Sequence, residues 1–434
     1  MTTFIKVLQK AVLVMAGLLF VFYIILWYRD MRSYQDTIPI NTASVVKVNV
    51  DGMALELVWN MICHPSSYLN ENEKTKDEDV EYGINIPANL FISTLKNKKS
   101  DSFFTILNVT NTSSFSNYLV QELHLKEIES GESYQIFQHE NTKLKVAFNN
   151  DKAVVSYANS GESVMDVFES VLNKKEFLKS DDFLGRVKSV NEDIAFVSPI
   201  QTISFDVKPG KIAIQSLDSE TPKMPKIFRK GEKNALYLEL QKLTFHQNEE
   251  WNIKGVSLAT DSLQMYTEGS VQLAVNNSVS QIDSIITYEY NDDFEKVPVM
   301  STTQKQVPNI QIQVNDTLGK VFSYFKRTGL VEDNQLNKDI FPLYKLHATN
   351  VPGGVHFFTG SEIHQSQWLT DASYLYVNFD KITNYEDFSF LKKYVEELKD
   401  FEMSFQLSTK GISHLNGNIY FKNDSYYPLK ILLK

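Results

Sequence analysis

Residues 144–155 read LKVAFNNDKAVV. Leu144, Val146 and Phe148 recur at every second position, the period of a strand that sends alternate side chains to opposite faces. Asn149-Asn150-Asp151-Lys152 then reverses the chain, and Ala153 and Val155 resume the pattern. A two-residue turn there predicts Phe148 opposite Ala153 and Val146 opposite Val155, on one face of an antiparallel hairpin. The same pattern recurs outward along the chain. Ile203, Phe205 and Val207 run into Lys208-Pro209-Gly210-Lys211. Proline followed by glycine predicts a type II turn, with Val207 against Ile212 and Phe205 against Ile214. Val271, Leu273 and Val275 meet Asn276-Asn277, a turn signal, and continue to Ile282; Phe401, Met403, Phe405 and Leu407 alternate before Thr409-Lys410-Gly411. One polar and one apolar face per strand predicts an α+β fold of antiparallel sheets with helices packed on one face.

Helices follow strands across short polar joints. Val46, Val48 and Val50 alternate with Lys47 and Asn49; Asp51 then stands where an N-cap would, ahead of Leu55, Leu57, Val58 and Met61, and Pro65 ends the helix. Phe103–Val109, a joint at Asn111–Ser114 and a helix over Phe115–Leu123 repeat the order. So do Ile310–Val314 with Asn315 capping Thr317–Arg327, and Tyr374–Phe379 with Asp380 and a helix over Tyr385–Leu398. Val48-Asn49-Val50-Asp51 and Val377-Asn378-Phe379-Asp380 are the most alike, a hint of internal duplication. Val164, Val167, Phe168, Val171 and Leu172 share one helical face, and Ser180 with Asp181-Asp182-Phe183-Leu184 starts another helix. The segment Leu217–Asn234, LDSETPKMPKIFRKGEKN, has two prolines, a glycine and many charges. It predicts a surface linker between two lobes, 42–216 and 235–434.

Ahead of both lies Ala11–Tyr28, AVLVMAGLLFVFYIILWY, 18 residues without a charge. At 1.5 Å per residue it covers about 27 Å, close to the hydrocarbon thickness of a bilayer. Tyr23, Trp27 and Tyr28 gather at its far end as an interfacial belt would. The run exceeds a leader's apolar region, and LWYRDMRSYQDT holds no small-x-small cleavage pattern. Residues 1–31 therefore read as a tail and an uncleaved transmembrane anchor, with Met31–Thr42 a polar connector. Lys6 and Lys10 balance Arg29 and Arg32. The terminal amine tips orientation toward an inside N-terminus, which leaves the large region outside the cytoplasm.

Composition bounds the function. The 434 residues are 43% apolar and 22% charged, ordinary globular values that suit two or three domains. A net charge of −10 argues against a nucleic-acid partner. The single cysteine, Cys63, precludes an intrachain disulfide or a cysteine-rich metal site; it reads as a small buried apolar residue. Glu71–Glu81 is a solvated charged loop. Its Asp77, Asp79 and Glu81 have calcium-loop spacing but lack the glycine and terminal glutamate of an EF-hand.

No complete catalytic motif emerges. His139-Glu140 begins a zinc motif that Lys143 breaks. A turn at Val351–Gly354 pairs Thr349 with His356 and His347 with Phe358, which sets His347 and His356 diagonally on one face with Glu362 or His364 in reach; a third metal ligand is not established. Cys63 and His64 are helix neighbours and cannot face each other. Ser93–Lys96 and Ser323–Lys326 both match S-x-x-K, yet neither S-D-N nor K-T-G occurs. Asp181-Asp182 and Asp292-Asp293 read as a helix start and a turn. No catalytic, cofactor-binding or metal-ligating residue is assigned, and the expectation is a protein that is not an enzyme.

The stretch Ile38–Asn49, IPINTASVVKVN, resembles a group of uncharacterised bacterial envelope proteins with an N-terminal anchor or lipid signal, an I-P-x-x-A-x-x-V strand and repeated strand–helix–hairpin units. Phe177–Leu184 is similar in style to segments of that group. The resemblance covers Ile38 to Val197 and implies a non-cytoplasmic α+β protein, with no site residues to carry over. The resulting expectation is a single-pass protein of the cytoplasmic membrane with its C-terminal region in the periplasm. It would act as an accessory or scaffold subunit of an envelope complex, with other envelope proteins as partners. The alternative is a carrier of lipid or another apolar molecule.

Overall fold

The computed structural model describes residues 2–65, 68, 81–130, 133–179, 181–217, 234–241, 248–267, 269–290, 292, 294–316, 318–360, 372–408, 411–425 and 427–429. The charged loop after residue 70, the linker at 218–233, Glu362 and His364 lie outside them. Helix α1 runs Thr2–Ser33. Its Val12–Ser33 portion is long and apolar enough to cross a membrane, and the apolar stretch within it is not buried in the protein. Contacts divide the chain into two compact units, Met1–Pro209 with Ser425–Lys434, and Gly210–Asp424.

In the first unit α1 is followed by β1 (Thr42–Asn49), α2 (Val50–Cys63), β2 (Ile84–Asn85), β3 (Asn89–Leu95), β4 (Ser102–Val109) and α3 (Thr112–Gln121). Then come β5 (Leu125–Ser130), β6 (Gln135–His139), β7 (Leu144–Phe148), β8 (Lys152–Ala158) and α4 (Met165–Phe168), which runs on through a π turn at Glu169–Asn173. Helix α5 (Asp182–Ser189), β9 (Ile194–Val197) and β10 (Thr202–Lys208) complete it. The strands form an antiparallel sheet in the order β10-β9-β1-β3-β4-β8-β7-β6-β5, with β2 also on β4. The β7–β8 hairpin has the register expected from its turn: Phe148 faces Ala153 and Val146 faces Val155.

Helices cover both faces of this sheet, not one. Phe115 and Leu119 of α3 pack with Phe137, Val146, Phe148 and Ala153. Val167 and Phe168 of α4 pack with Ile136, Ala147 and Val154, the intervening residues of the same strands. The physical reason lies in the sequence: Ile136-Phe137, Val146-Ala147-Phe148 and Ala153-Val154-Val155 are apolar in both phases of the alternation, so both faces need cover.

The second unit contains β11 (Lys211–Ser216), β12 (Leu236–Leu240), a separate hairpin β13 (Glu250–Ile253) with β14 (Val256–Ala259), α6 (Thr260–Thr267), β15 (Val271–Tyr290), β16 (Lys296–Asn315) and α7 (Val321–Arg327). It continues with β17 (Val331–Glu332), β18 (Gln335–Leu336), β19 (His347–Val351), β20 (Gly354–Phe358), β21 (Ser373–Asn378), α8 (Phe379–Thr383), a 3-10 turn at Glu386–Leu391, α9 (Lys392–Val395), β22 (Leu398–Ser408) and β23 (Gly411–Phe421). Its antiparallel order is β11-β23-β22-β21-β12-β15-β16-β20-β19-β18-β17. Val314, Val321, Phe325, Leu346, Val355 and Phe357 centre its core.

From β22 to β17 this order repeats the first unit's β10-to-β5 order strand for strand. Helix α3 after β4 and α7 after β16 occupy the same step. The duplication hinted at by Val48–Asp51 and Val377–Asp380 is thus matched in topology, but β1 corresponds to β12 and β21 to β9. What the two look-alike segments share is a strand-to-helix cap: Asn49 Oδ1 accepts from Gly52 N–H at 3.0 Å and Asn378 Oδ1 from Lys381 N–H at 2.9 Å.

Several local expectations change. Asn49, not Asp51, caps α2, because the helix starts two residues earlier, at Val50. Lys320, not Asn315, stands at the N-cap of α7, and the Asp316 carboxylate accepts from Lys320 and Val321 N–H there at 3.0 Å each. The helix expected over Tyr385–Leu398 breaks into the 3-10 turn and the short α9, and Leu398 already begins β22. Asn276-Asn277 makes no turn: β15 runs through it with a bulge between Asn276 and Ser278. Gly210 has φ +71°, as a type II turn requires of its third residue. The contact boundary falls at Pro209–Gly210 rather than within 217–234, and β11 pairs with β23.

Candidate functional site

The end of α1 is built into the first unit. Arg29, the residue after the apolar run, donates from Nε and Nη2 to the Asp51 carboxylate at 2.8 and 2.9 Å. Its Nη2 also donates to the Ile86 carbonyl at 3.2 Å. Asn89 Nδ2 donates to Asp30 Oδ1 at 2.6 Å and to Ser33 Oγ at 2.9 Å. The Tyr34 ring lies 5.2 Å from that of Phe91, and Ser33, Thr37, Ile38 and Thr42 are buried. The expected polar connector is therefore a folded seat. Two parallel charge-assisted hydrogen bonds fix the orientation of the Arg29–Asp51 pair as well as its distance.

A lysine expected on an outer face takes part in this seat. Lys47 of β1 is only 3% exposed, donates to the Val190 carbonyl and stands 5.4 Å above the Tyr34 ring. Burial pushes its ammonium below the ordinary lysine value. Beside the seat is a recess of about 530 Å³, lined by Tyr28, Arg32, Asp36, Asn108, Asp151 and Lys152 among others. Lys152 Nζ donates to Asn108 Oδ1 at 2.7 Å and to the Asp36 carbonyl at 3.0 Å, and burial lowers its pKa too.

Helix α2 buries a narrow side around Met53 and Asn60 and turns an apolar side outward. Met53 and Asn60 are buried, and Asn60 Oδ1 accepts from the Tyr68 hydroxyl. Leu55, Val58, Trp59 and Ile62, at i, i+3, i+4 and i+7, are all exposed, Trp59 by 67% and Ile62 by 65%. Cys63, expected to be buried, is exposed at the end of the same side. The periodicity was legible in the sequence; its direction was not, since a spacing pattern does not say what covers the apolar face.

The second unit extends a β arm. Strand β15 pairs with β12 only over Val271–Val275, and β16 with β20 only over Gln311–Asn315. Gln281 Nε2 donates to the carbonyls of Lys345 and Thr359 at 2.6 and 2.9 Å, and Lys345 Nζ to that of Ile282 at 2.8 Å. Among the described residues, the ladder beyond Ile282 is between β15 and β16 alone, down to Tyr290 opposite Lys296. At about 3.3 Å per residue that free stretch reaches roughly 27 Å. Ile282, Ile286, Tyr288 and Tyr290 share one face with Met300, and Phe294 stands 86% exposed at the tip.

Among the described residues, the titratable side chains of the candidate motifs do not converge. His347 and His356 have the expected register, opposite Phe358 and Thr349. His356 is buried with Nε2 3.2 Å from Gln313 Oε1, and burial lowers its pKa. His347 packs its ring 5.6 Å from Phe358. Among the described residues, no group of three His, Cys, Asp or Glu side chains is placed to hold a metal. His139 Nδ1 accepts from Asn141 N–H, and Glu140 pairs with Lys126. Ser93 lies in β3 and Ser323 in α7, and Asp181 caps α5 through Leu184 N–H at 2.7 Å.

No protein family's sequence profile matches the chain. No curated protein matches it either. Among solved structures it is similar to crystal forms I, III and IV of TP0453, at 8%, 9% and 10% identity with TM-scores of 0.23, 0.24 and 0.24. Each alignment covers 74% of this chain, and 92%, 92% and 91% of the respective other chain. Likeness at that level bears on neither fold nor function.

Proposed function

We propose that the chain is a single-pass protein of the cytoplasmic membrane whose extracytoplasmic α+β region serves as an accessory or scaffold subunit of an envelope protein complex. The anchor half is supported by the seat of α1. A leader would be removed with its apolar run, yet here Arg29, Asp30 and Ser33 hydrogen-bond to Asp51 and Asn89 of the folded unit. Retaining the helix keeps those partners satisfied. The scaffold half is carried by one observation, the free β15–β16 arm with its exposed apolar face. A two-stranded ribbon is marginal alone in water, and an apolar face of this extent marks an interaction surface.

The experiment is affinity purification from mildly solubilised membranes, run beside a variant in which residues 283–303 are replaced by Asn-Gly. The expected result is a defined co-purifying envelope protein in stoichiometric amount, lost with the arm. Recovery of the full-length chain as a lone monomer counts against the scaffold reading.

A further inference from the structure

The outward stripe of α2 is apolar, continuous and exposed, and its position names what covers it. The chain after α2 is a poor cover: residues 69–80 read LNENEKTKDEDV. Arg29 directly follows the apolar run that ends at Tyr28, and its guanidinium is 2.8–2.9 Å from the carboxylate of Asp51 in the first turn of α2. If α1 spans the membrane, Arg29 sits at headgroup level, and α2 starts there too. Ile86, whose carbonyl accepts from Arg29, is a second exposed apolar side chain at that level. No lysine or arginine occurs between Lys47 and Lys74. Nothing cationic therefore has to be desolvated when Leu55, Val58, Trp59 and Ile62 leave water. Trp59 is the residue type favoured at a membrane–water boundary.

We propose that α2 lies in the interface of the bilayer that α1 crosses, with Leu55, Val58, Trp59 and Ile62 immersed at the boundary between headgroups and acyl chains. This inference rests on the anchor reading. The occupant is the lipid surface, and its recognition is apolar. Interfacial helices usually add lysines that seek anionic lipid. This one has none, so immersion is independent of anionic lipid content and of salt. The 14-residue helix and the anchor then form two contacts with one membrane, which fixes the tilt of the first unit rather than leaving it on a tether.

The single native cysteine supplies the test, because Cys63 is exposed one turn beyond Trp59. Full-length protein labelled at Cys63 with an environment-sensitive nitrobenzoxadiazole is reconstituted into phosphatidylcholine nanodiscs, with and without phosphatidylglycerol. The expected result is blue-shifted emission, quenching by lipids brominated high on the acyl chain, and severalfold weaker quenching by aqueous iodide, equal in both lipid mixtures. A second sample carries Cys63→Ser with Val21→Cys and reports on the anchor alone. Deep bromolipid quenching at Val21→Cys with iodide-accessible label at Cys63 overturns the α2 proposal while leaving the anchor intact. Label at Cys63 shielded from iodide but untouched by bromolipids also overturns it, since the cover is then protein. Failure of the Val21→Cys label to reach the acyl core overturns the anchor reading itself.

Discussion

Asp193 shows how one residue can set a pH dependence. Its Oδ2 accepts from Val207 N–H at 2.7 Å, and its carbonyl accepts from Asn49 N–H at 2.7 Å. Burial, reinforced by the negative charges of Glu56 and Asp206, raises its carboxyl to about 6. The unfolded value is about 3.9, so the native state holds this proton more tightly. Stability from this group is present below pH 4 and is lost as pH rises to about 6. Asp193→Asn keeps an acceptor for Val207 and removes the charge. The variant is expected to be more stable than the parent at pH 7, by on the order of 1–2 kcal/mol, with a flatter profile between pH 4 and 6. Thermal unfolding across that range checks it; a variant less stable at pH 7 contradicts the assignment. Lys47 teaches the complementary lesson. A lysine between Val46 and Val48 reads as outward, because its cost of burial is large and its rescue by Val190 and Tyr34 is tertiary.

At the scale of elements, what the sequence announces best is the hairpin. Phe148 opposite Ala153 and Thr349 opposite His356 follow from alternation plus turn chemistry. Asn276-Asn277 carries a turn signal equally strong by composition, yet β15 passes through it, because pairing from Ser278 onward outweighs one local preference. The signal of the arm is an apolar alternation with no second turn before Tyr290. The stripe on α2 was visible as a period and invisible as a surface. Both candidate contacts are places where pattern and burial disagree. The arm is expected to be dispensable for folding, since among the described residues those beyond Ile282 pair only with each other. Replacing 283–303 by Asn-Gly should leave the thermal midpoint of the protein within about 2–4 °C, the shift that 1 kcal/mol produces in a unit this size. A loss of cooperative unfolding contradicts that picture.

For the whole molecule, the linker expected at Leu217–Asn234 separates β11 from β12, and both belong to the second unit. Trypsin has Lys223, Lys226, Arg229, Lys230 and Lys233 to attack there. Because β11 pairs with β23 over Lys211–Gln215, a cut at these sites leaves the amino-terminal fragment holding a strand of the second unit's sheet. The nicked protein should co-elute as one species on gel filtration and separate only under denaturing conditions; fragments that part spontaneously contradict the pairing. The proposal that α1 anchors a large extracytoplasmic region is open to direct test. The most direct measurement is protease treatment of intact spheroplasts, followed by immunoblotting of the membrane fraction for both ends of the chain. The expected result is digestion of the region after Arg32, with the anchor retained in the membrane; clipping of only the first ten residues would show the reverse orientation and overturn the proposal.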